Sequence, residues 1–392
     1  MNVNGLNGRE VWIDWMRVAA CFMVMLVHCT EPFYLGGDGA QILTRNDLFW
    51  ADFFDSLVRC CVPLFVVASS YLLFPVKQPA GEFFKRRAVR ILVPFVIWTI
   101  IYAFIYGNPA ENFRELVLNF NYSAGHLWFV YMLVGLYLLM PLLSPWAEKV
   151  GRNELRVYIG IWLFSTIVPL IRDWASTGPL AVTYGPTGIP RQALFPLWGE
   201  ASWNAYGLFY YMGGFIGYLF IGLYVKKFVG ELSWRKTLAV ALPSFLAGFA
   251  VTFGGFFRRA MLTSGGKFPT GGMVDTAVYW ETTWCNDTLG VALMTIALIL
   301  LFRKVKAPGT FYSKLLVPVS KAGYGMYLCH MAVLVPVAGF FRNLFGTGAD
   351  GMLGFWTTPV EILLGGISTF LITAVVCVLL QRIPKLGKYI MG

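Results

Sequence analysis

Charged residues are scarce in this 392-residue sequence: Asp, Glu, Lys and Arg make up 13%, whereas hydrophobic residues make up 57%. A soluble domain carries about 25% charged residues. The chain also lacks a long polar block of the kind that would indicate a soluble domain. It contains neither the Gly-x-Ser-x-Gly elbow of α/β-hydrolases nor the P-loop of nucleotide-binding proteins. The composition therefore predicts a polytopic membrane protein.

Metal-site and redox spacings are also missing. The seven cysteines contain no C-x-x-C pair, and most lie in apolar runs, which favours small apolar side chains over disulfides or ligands. The three histidines fall in separate predicted helices, without the H-x-x-x-H spacing of metal sites. We therefore expect no metal cofactor.

Ten apolar runs of about twenty residues are long enough to cross a bilayer. Their extents are 11–34, 51–75, 88–107, 126–146, 155–171, 204–225, 236–256, 280–302, 315–341 and 358–381. Most of the 31 basic residues fall in alternate connections, which the positive-inside rule places in the cytoplasm. This pattern explains the net charge of +11 without a nucleic-acid partner. It predicts an all-α polytopic protein of about ten transmembrane helices, with both termini cytoplasmic and a single domain over residues 1–392.

The first apolar run carries three polar residues, Asp14, Arg17 and His28. Ionisable residues inside a spanning helix are functional candidates because burying them in lipid is costly. Arg17 and His28 are eleven residues apart, which is about three helical turns, so they share a face at about 16 Å separation. The spacing suggests that a long substrate lies along this face, with its anionic end at Arg17 and its reactive end at His28. Asp14 is interpreted as a partner for a nearby arginine.

Titratable residues gather at the predicted outer level of the membrane. His28, His126 and His330 lie there with Glu281 and Asp287, which are placed in the first turns of the eighth helix. Histidine exchanges protons near neutral pH, and a carboxylate can orient its ring. His28 is the candidate catalytic base. His126 is either a ligand of the substrate or a helix cap, and His330 is either a site residue or a hydrogen-bonded structural histidine.

Basic residues gather at the predicted inner level. Lys85, Arg86, Arg87 and Arg90 lie at the start of the third helix, and Arg17 lies in the inner half of the first. Arginine suits phosphate recognition, and Arg87 and Arg90 are three residues apart, so they are expected to share a helix face. The alternative for the 85–87 run is a topology signal that contacts anionic lipid.

Aromatic residues at the ends of the predicted spans have two interpretations. Most tryptophans there fit the interfacial aromatic belt of membrane proteins. Trp128 and Trp284 are also candidates for stacking on a sugar.

Several motifs occur in an order that resembles the integral-membrane acyltransferase-3 family over nearly the whole chain. The motifs are Ile13-Asp14-x-x-Arg17 followed after ten residues by His28, Phe84-Lys85-Arg86-Arg87-x-x-Arg90, His126-Leu127-Trp128-Phe129, and Tyr324-Gly325-Met326-Tyr327-Leu328-Cys329-His330. The sequence has Ser69-Ser70 where the family more often has Ser-Gly. It is similar to stand-alone members that acetylate polysaccharides or glycolipids of the cell envelope.

The resemblance implies a multi-pass enzyme of the bacterial inner (cytoplasmic) membrane. It would move an acyl group, first of all acetyl, from cytoplasmic acyl-CoA to a hydroxyl of an envelope glycan or lipid-linked sugar. His28 would be the base or a transient acyl carrier, oriented by Glu281 or Asp287. The expected CoA-binding residues are Arg17, Lys85, Arg86, Arg87 and Arg90; the expected acceptor-binding residues are His126, Trp128, Trp284 and His330. Membrane lipids are further expected partners; a homo-oligomer is compatible with the sequence, which leaves the oligomeric state open.

Two other function classes fit the composition. A transporter or exporter of a glycan or anionic solute would carry its substrate across the membrane without consuming acyl-CoA. A non-enzymatic scaffold for a polysaccharide synthase would tolerate substitutions of His28 and Arg17.

Overall fold

The computed structural model describes residues 9–34, 44–106, 109–111, 122–177, 198, 206–263, 277–306, 309–384 and 386–392. These residues form helices and contain no strand, which confirms the predicted all-α polytopic fold. Among them, nine helical segments are long and apolar enough to cross a membrane. The nine segments are Val11–Phe33, Arg45–Leu73, Ala80–Ile105, Ala124–Lys149, Arg152–Ile171, Trp234–Leu262, Trp280–Phe302, Tyr312–Phe345 and Gly354–Leu380.

The predicted sixth span differs from the others. Within the described part of 204–225, the α-helix begins only at Ile216 and ends at Phe228. Its 13 residues extend about 20 Å, which is less than the roughly 30 Å of a hydrocarbon core. The preceding residues form turns and a short 3₁₀ helix, Gly207–Phe209. The cytoplasmic position of both termini stays a prediction.

The α-helices are numbered in chain order. They are α1 Val11–Thr30, α2 Arg45–Val58, α3 Cys61–Leu73, α4 Ala80–Arg87, α5 Val93–Ile105, α6 Trp128–Lys149, α7 Arg152–Ser165, α8 Val168–Thr177, α9 Ile216–Phe228, α10 Trp234–Thr263, α11 Leu289–Phe302, α12 Val317–Phe345, α13 Thr357–Leu380 and α14 Leu386–Met391.

The helices belong to two compact units, each assembled from separate parts of the chain. The first unit comprises Met1–Cys29, Leu73–Glu148 and Phe302–Gly392, and it contains nearly all of α1. The second unit comprises Thr30–Leu72 and Lys149–Leu301. The prediction of a single domain stays a prediction.

Asp14 fixes the start of α1 within the first unit. Its carboxylate accepts hydrogen bonds from the Arg9 guanidinium at 2.9 and 2.5 Å, the Tyr312 hydroxyl at 2.7 Å and the Ser320 hydroxyl at 2.6 Å. Burial of a carboxylate is tolerated when its oxygens are paired in this way. Asp14 is therefore an arginine's partner, as predicted, and the arginine is Arg9.

Candidate active site

All three histidines of the chain meet in the first unit. His28 lies near the end of α1, His126 lies in the 3₁₀ segment that precedes α6, and His330 lies in α12. The ring centroids of His28 and His330 are 5.1 Å apart, those of His126 and His330 are 5.0 Å apart, and those of His28 and His126 are 6.5 Å apart. The histidines that the sequence placed at one membrane level are thus immediate neighbours.

The hydrogen bonds of this cluster indicate which ring nitrogens carry protons. His330 Nδ1 lies 2.6 Å from the carbonyl oxygen of Tyr327, and His126 Nε2 lies 3.4 Å from that of Leu328. A carbonyl oxygen only accepts, so these nitrogens are the donors. In a neutral His330 ring, Nε2 is then an acceptor, and it is buried without a hydrogen-bond partner among the described residues.

Burial separates the three rings by their access to substrate. His330 is 0% exposed and His126 is 8% exposed, whereas His28 is only half-buried. A group must reach the reacting atoms to exchange a proton with them. His28 is therefore the histidine best placed to contact a substrate.

Two tyrosines that were not predicted as site residues complete the cluster. Tyr102 donates a hydrogen bond to the Leu328 carbonyl at 2.9 Å. The centroid of its ring lies 5.0 Å from that of the His126 ring. Tyr327 donates to the backbone carbonyl of His126 at 2.5 Å. A signal for Tyr327 was present, because it precedes His330 by three residues and so lies on the same side of α12. Tyr102 had no comparable signal in its apolar run.

Arg17 and Arg87 both interact electrostatically with Tyr137 in the first unit. The electrostatic neighbours of Arg17 include Asp14 and Tyr137. The guanidinium carbon of Arg87 lies 6.0 Å from the centroid of the Tyr137 ring and 5.8 Å from that of Phe83. Arg87 Nε is buried without a hydrogen-bond partner among the described residues. An arginine donor left in this state is suited to an anion.

The remaining basic residues of the run are more exposed. Arg90 is exposed and lies in a π-helical segment, Ala88–Leu92, between α4 and α5. The wider π turn corrects the expectation that Arg87 and Arg90 share a face, which assumed α-helical spacing. Lys85 is exposed, and Arg86 forms a surface ion pair with Glu82, so contact with anionic lipid remains open for both.

Glu281 belongs to a charged network in the second unit. It accepts a hydrogen bond from the Tyr34 hydroxyl at 3.0 Å, and Arg59 Nη2 lies 3.8 Å from its other oxygen. Arg59 also forms an ion pair with Asp55, four residues earlier. Arg59 was missed, although this i, i+4 spacing within an apolar run was a signal.

The placement of the two predicted helper carboxylates also changes. Glu281 lies in a 3₁₀ segment, Ala277–Trp284, and Asp287 lies in the turn before α11. Neither is in the first turn of an α-helix, because α11 begins only at Leu289. Both belong to the second unit, and their support of His28 stays a prediction.

Trp284 has its ring faces occupied. The residue is 0% exposed. Its ring stacks on that of Phe256 with the centroids 3.7 Å apart, and the guanidinium carbon of Arg59 lies 4.6 Å from the Trp284 ring centroid. Its indole nitrogen donates to the Ser56 hydroxyl at 2.7 Å. These contacts argue against stacking on a sugar. Trp128, at the start of α6, is half-buried and keeps that possibility.

Across the described ranges, no group of three or more histidine, cysteine, aspartate or glutamate side chains is arranged to hold a metal ion.

A polytopic helical protein with a histidine cluster and a separate pair of arginines on one unit has the groups needed for proton transfer and anion binding. The model of the acyltransferase-3 family, described as an acyltransferase domain, matches residues 10–378. The match covers nearly the whole chain, so the protein belongs to this family and is a multi-pass membrane acyltransferase. No curated protein and no solved structure matches the chain.

Proposed function

We propose that the protein is an O-acyltransferase of the bacterial inner membrane. It moves an acyl group, in the first instance acetyl, from cytoplasmic acyl-CoA to a hydroxyl of a cell-envelope glycan or lipid-linked sugar. The observation that carries the proposal is α1, an unbroken helix with Arg17 and His28 on one face and two further histidines beside His28. Family membership supports acyl transfer in general.

The donor end of the proposed site is built from arginine. Arg17 and Arg87 bind the phosphates of CoA, because Arg17 is a buried cation in α1 and Arg87 has a buried Nε without a partner among the described residues. Arg90, with Lys85 and Arg86, adds positive charge at the entrance. The pantetheine arm then follows the face of α1 toward His28, a distance of about 16 Å along the helix.

The reactive end of the proposed site is His28. Its unprotonated nitrogen takes the proton of the acceptor hydroxyl while the oxygen attacks the thioester carbonyl. The new C–O bond forms, the C–S bond breaks, and the imidazolium returns the proton to the departing CoA sulfur. The products are an ester and the CoA thiol. In the alternative route, His28 first takes the acyl group itself and then transfers it to the hydroxyl.

The acceptor side of the proposed site includes Trp128 and His126, which are half-buried and nearly buried, respectively. Glu281 or Asp287 as a support for His28 remains part of the proposal. Direct acceptor contact by Trp284 or His330 has less support, because both side chains are 0% exposed.

The test uses purified protein in lipid nanodiscs with acetyl-CoA labelled in its acetyl group and a lipid-linked glycan acceptor. The proposal predicts label in an alkali-labile ester on the glycan together with release of CoA thiol in equal amount. A matched preparation of His28→Ala supplies the background. Equal labelling by the two preparations would exclude His28 from the reaction.

The same preparation in liposomes separates the rival functions. Passage of glycan or solute across the membrane without release of CoA thiol would favour a transporter. Absence of both transfer and transport, with full activity of a polysaccharide synthase only when this protein is present, would favour a scaffold.

A further inference from the structure

Two arginines at the start of α7 converge on one acceptor in the second unit. Arg156 Nε donates a hydrogen bond to the Tyr224 hydroxyl at 2.8 Å, and Arg152 Nε donates to the same oxygen at 3.4 Å. The guanidinium carbon of Arg156 also lies 5.8 Å from the centroid of the Tyr224 ring. Because Tyr224 belongs to α9, the packing of α7 against α9 gathers the two guanidinium groups at one point. We call Arg152 and Arg156 the arginine pair.

The arginine pair has no carboxylate partner among the described residues. Both side chains are exposed, and their hydrogen bonds within the described part of the chain go to Tyr224. Glu154 is two residues from each arginine, so the geometry of the α-helix turns it to the opposite side of α7. Like charges four residues apart on a helix repel each other, and a phenol hydroxyl adds no negative charge near neutral pH. Each guanidinium has five N–H groups and uses one of them on Tyr224, so the pair presents further donors to an anion.

Lys227 adds a third positive charge and fixes the end of α9 beside the arginine pair. Its ammonium donates to the Val150 carbonyl at 3.1 Å and lies 5.4 Å from the centroid of the Phe228 ring. The Phe228 ring in turn lies 5.6 Å from that of Tyr224, measured between centroids. These contacts tie the end of α9 to the residues just before α7, so the Tyr224 hydroxyl is held in position.

The arginine pair lies at the level of the lipid headgroups. Arg152 is the first residue of the spanning segment Arg152–Ile171, so the pair is at the end of a membrane-crossing helix. Lipid phosphates lie just outside the hydrocarbon core, at this level. The distribution of basic residues predicts that this end faces the cytoplasm, where basic sites beside spanning helices bind the headgroups of anionic lipids.

An exposed apolar strip continues from the arginine pair along α7. It consists of Val157, which is 60% exposed, Gly160, and Phe164, which is 45% exposed. Residues spaced by three, four and seven positions share a helix face. Apart from the neighbours of Gly160 in its own helix, no atom lies within 4 Å of the place where a Cβ atom would be. The strip is therefore open to an acyl chain over the roughly 12 Å from Arg156 to Phe164.

We propose that the arginine pair binds the phosphate of an anionic phospholipid. The planar fork of arginine suits phosphate oxygens, and Tyr224 gathers the two forks before the lipid binds. One acyl chain of the lipid lies along the apolar strip. A zwitterionic phospholipid also carries a phosphate, but its cationic group is repelled by Lys227 and the arginine pair. The site therefore favours a lipid of net negative charge, and it is independent of the acyl transfer proposed above.

The test measures the binding of single lipids to the purified full chain in a non-ionic detergent by native mass spectrometry. Phosphatidylglycerol and phosphatidylcholine are titrated separately, and inorganic phosphate is then added to the lipid complex. We expect the Kd of the first bound phosphatidylglycerol to be at least about tenfold lower than that of phosphatidylcholine. Inorganic phosphate lacks an acyl chain, so it should not displace the bound lipid.

Substitution of single arginines locates the site. Arg156→Gln and Arg152→Gln should each raise the Kd for phosphatidylglycerol about tenfold. Their thermal midpoints without lipid should match that of the natural protein, because both side chains are exposed. The matched control is Arg235→Gln, since Arg235 is an exposed arginine of the same unit in the first turn of the spanning segment Trp234–Leu262. This control removes the same charge and should change the Kd by less than about twofold.

Three results would overturn the proposal. Equal Kd values for phosphatidylglycerol and phosphatidylcholine would remove the preference for an anionic lipid. Equal rises in Kd for Arg156→Gln and Arg235→Gln would reduce the effect to the net charge of the protein. Displacement of the bound lipid by inorganic phosphate would assign the arginine pair to a soluble phosphate compound instead.

Discussion

The rings of His28 and His330 lie 5.1 Å apart, although the residues come from the first and ninth predicted spans. His126 closes the triangle at 5.0 Å from His330. The two flanking rings are nearly or fully buried and direct a donor nitrogen at a backbone carbonyl, whereas His28 is half-buried. The cluster therefore has one partly exposed ring and two rings that each bind a backbone carbonyl.

Replacement of His28 is expected to slow acyl transfer greatly without weakening the binding of acetyl-CoA. His28→Ala removes the base, so the transfer rate should fall by about 100- to 10,000-fold. Acetyl-CoA binding should be nearly unchanged, because the proposed phosphate site lies about 16 Å away along α1. Label transfer and calorimetric titration with acetyl-CoA measure the two effects. Loss of binding together with transfer would show that His28 supports the fold or holds the donor.

Replacement of Arg17 or Arg87 is expected to produce the opposite pattern. Arg17→Gln and Arg87→Gln each remove a charge-assisted hydrogen bond of about 1.5–3 kcal/mol, so Kd for acetyl-CoA should rise about tenfold or more. Arg90→Gln should have a smaller effect, because Arg90 is exposed and Arg87 is half-buried. Calorimetric titration measures all three.

The control for these arginine variants is Arg382→Gln. Arg382 is an exposed basic residue of the same unit and lies after α13. The Arg382→Gln substitution removes the same charge from the protein but lies outside the proposed phosphate site. A rise in Kd of the same size in Arg382→Gln would reduce the phosphate site to a general effect of net charge.

Removal of the Asp14 carboxylate is expected to destabilise the first unit. Asp14→Ala leaves the hydroxyls of Tyr312 and Ser320 without their acceptor, which costs about 3 kcal/mol, while Arg9 is partly exposed and can be hydrated. The thermal midpoint in nanodiscs should fall clearly. Glu82→Ala breaks an exposed ion pair instead and should change stability by no more than about 0.5 kcal/mol. Equal midpoints for the two variants would contradict the structural role of Asp14.

Two tryptophans are expected to respond differently to substitution. Trp284→Phe removes the buried indole hydrogen bond to Ser56, so stability should fall by about 1 kcal/mol while the KM for the glycan acceptor stays the same. Trp128→Ala should raise that KM, because the half-buried Trp128 ring is the better candidate for sugar stacking. Thermal unfolding and acceptor titration distinguish the two. A raised acceptor KM in Trp284→Phe would reverse the assignment.

Much of the fold follows from the order of residues alone. Apolar runs of sufficient length predicted all nine spanning segments found among the described residues, because a helix in lipid must satisfy its own backbone and present apolar side chains. The segment 204–225 misled this reasoning. Its apolar composition fits a span, but the α-helix is only Ile216–Phe228. Hydropathy measures transfer into lipid and does not report where backbone turns interrupt a helix.

The candidate site was predictable only in part. Helical periodicity placed Arg17 and His28 on one face, since both lie in one unbroken helix. The same rule failed for Arg87 and Arg90, because the π-helical segment Ala88–Leu92 changes the angle between them. Nothing in the sequence indicated that Tyr102 would bind the Leu328 carbonyl beside His126.

The sequence by itself determined the membrane class, the family resemblance and the pairing of Arg17 with His28 along α1. These features depend on composition and on spacing within one helix, which are local. Only the tertiary structure decided that His330 Nε2 is a buried acceptor without a partner among the described residues, and that Trp284 is enclosed between Phe256 and Arg59. Burial and hydrogen bonding at those positions depend on side chains from distant parts of the chain, and no local pattern specifies which of them will meet.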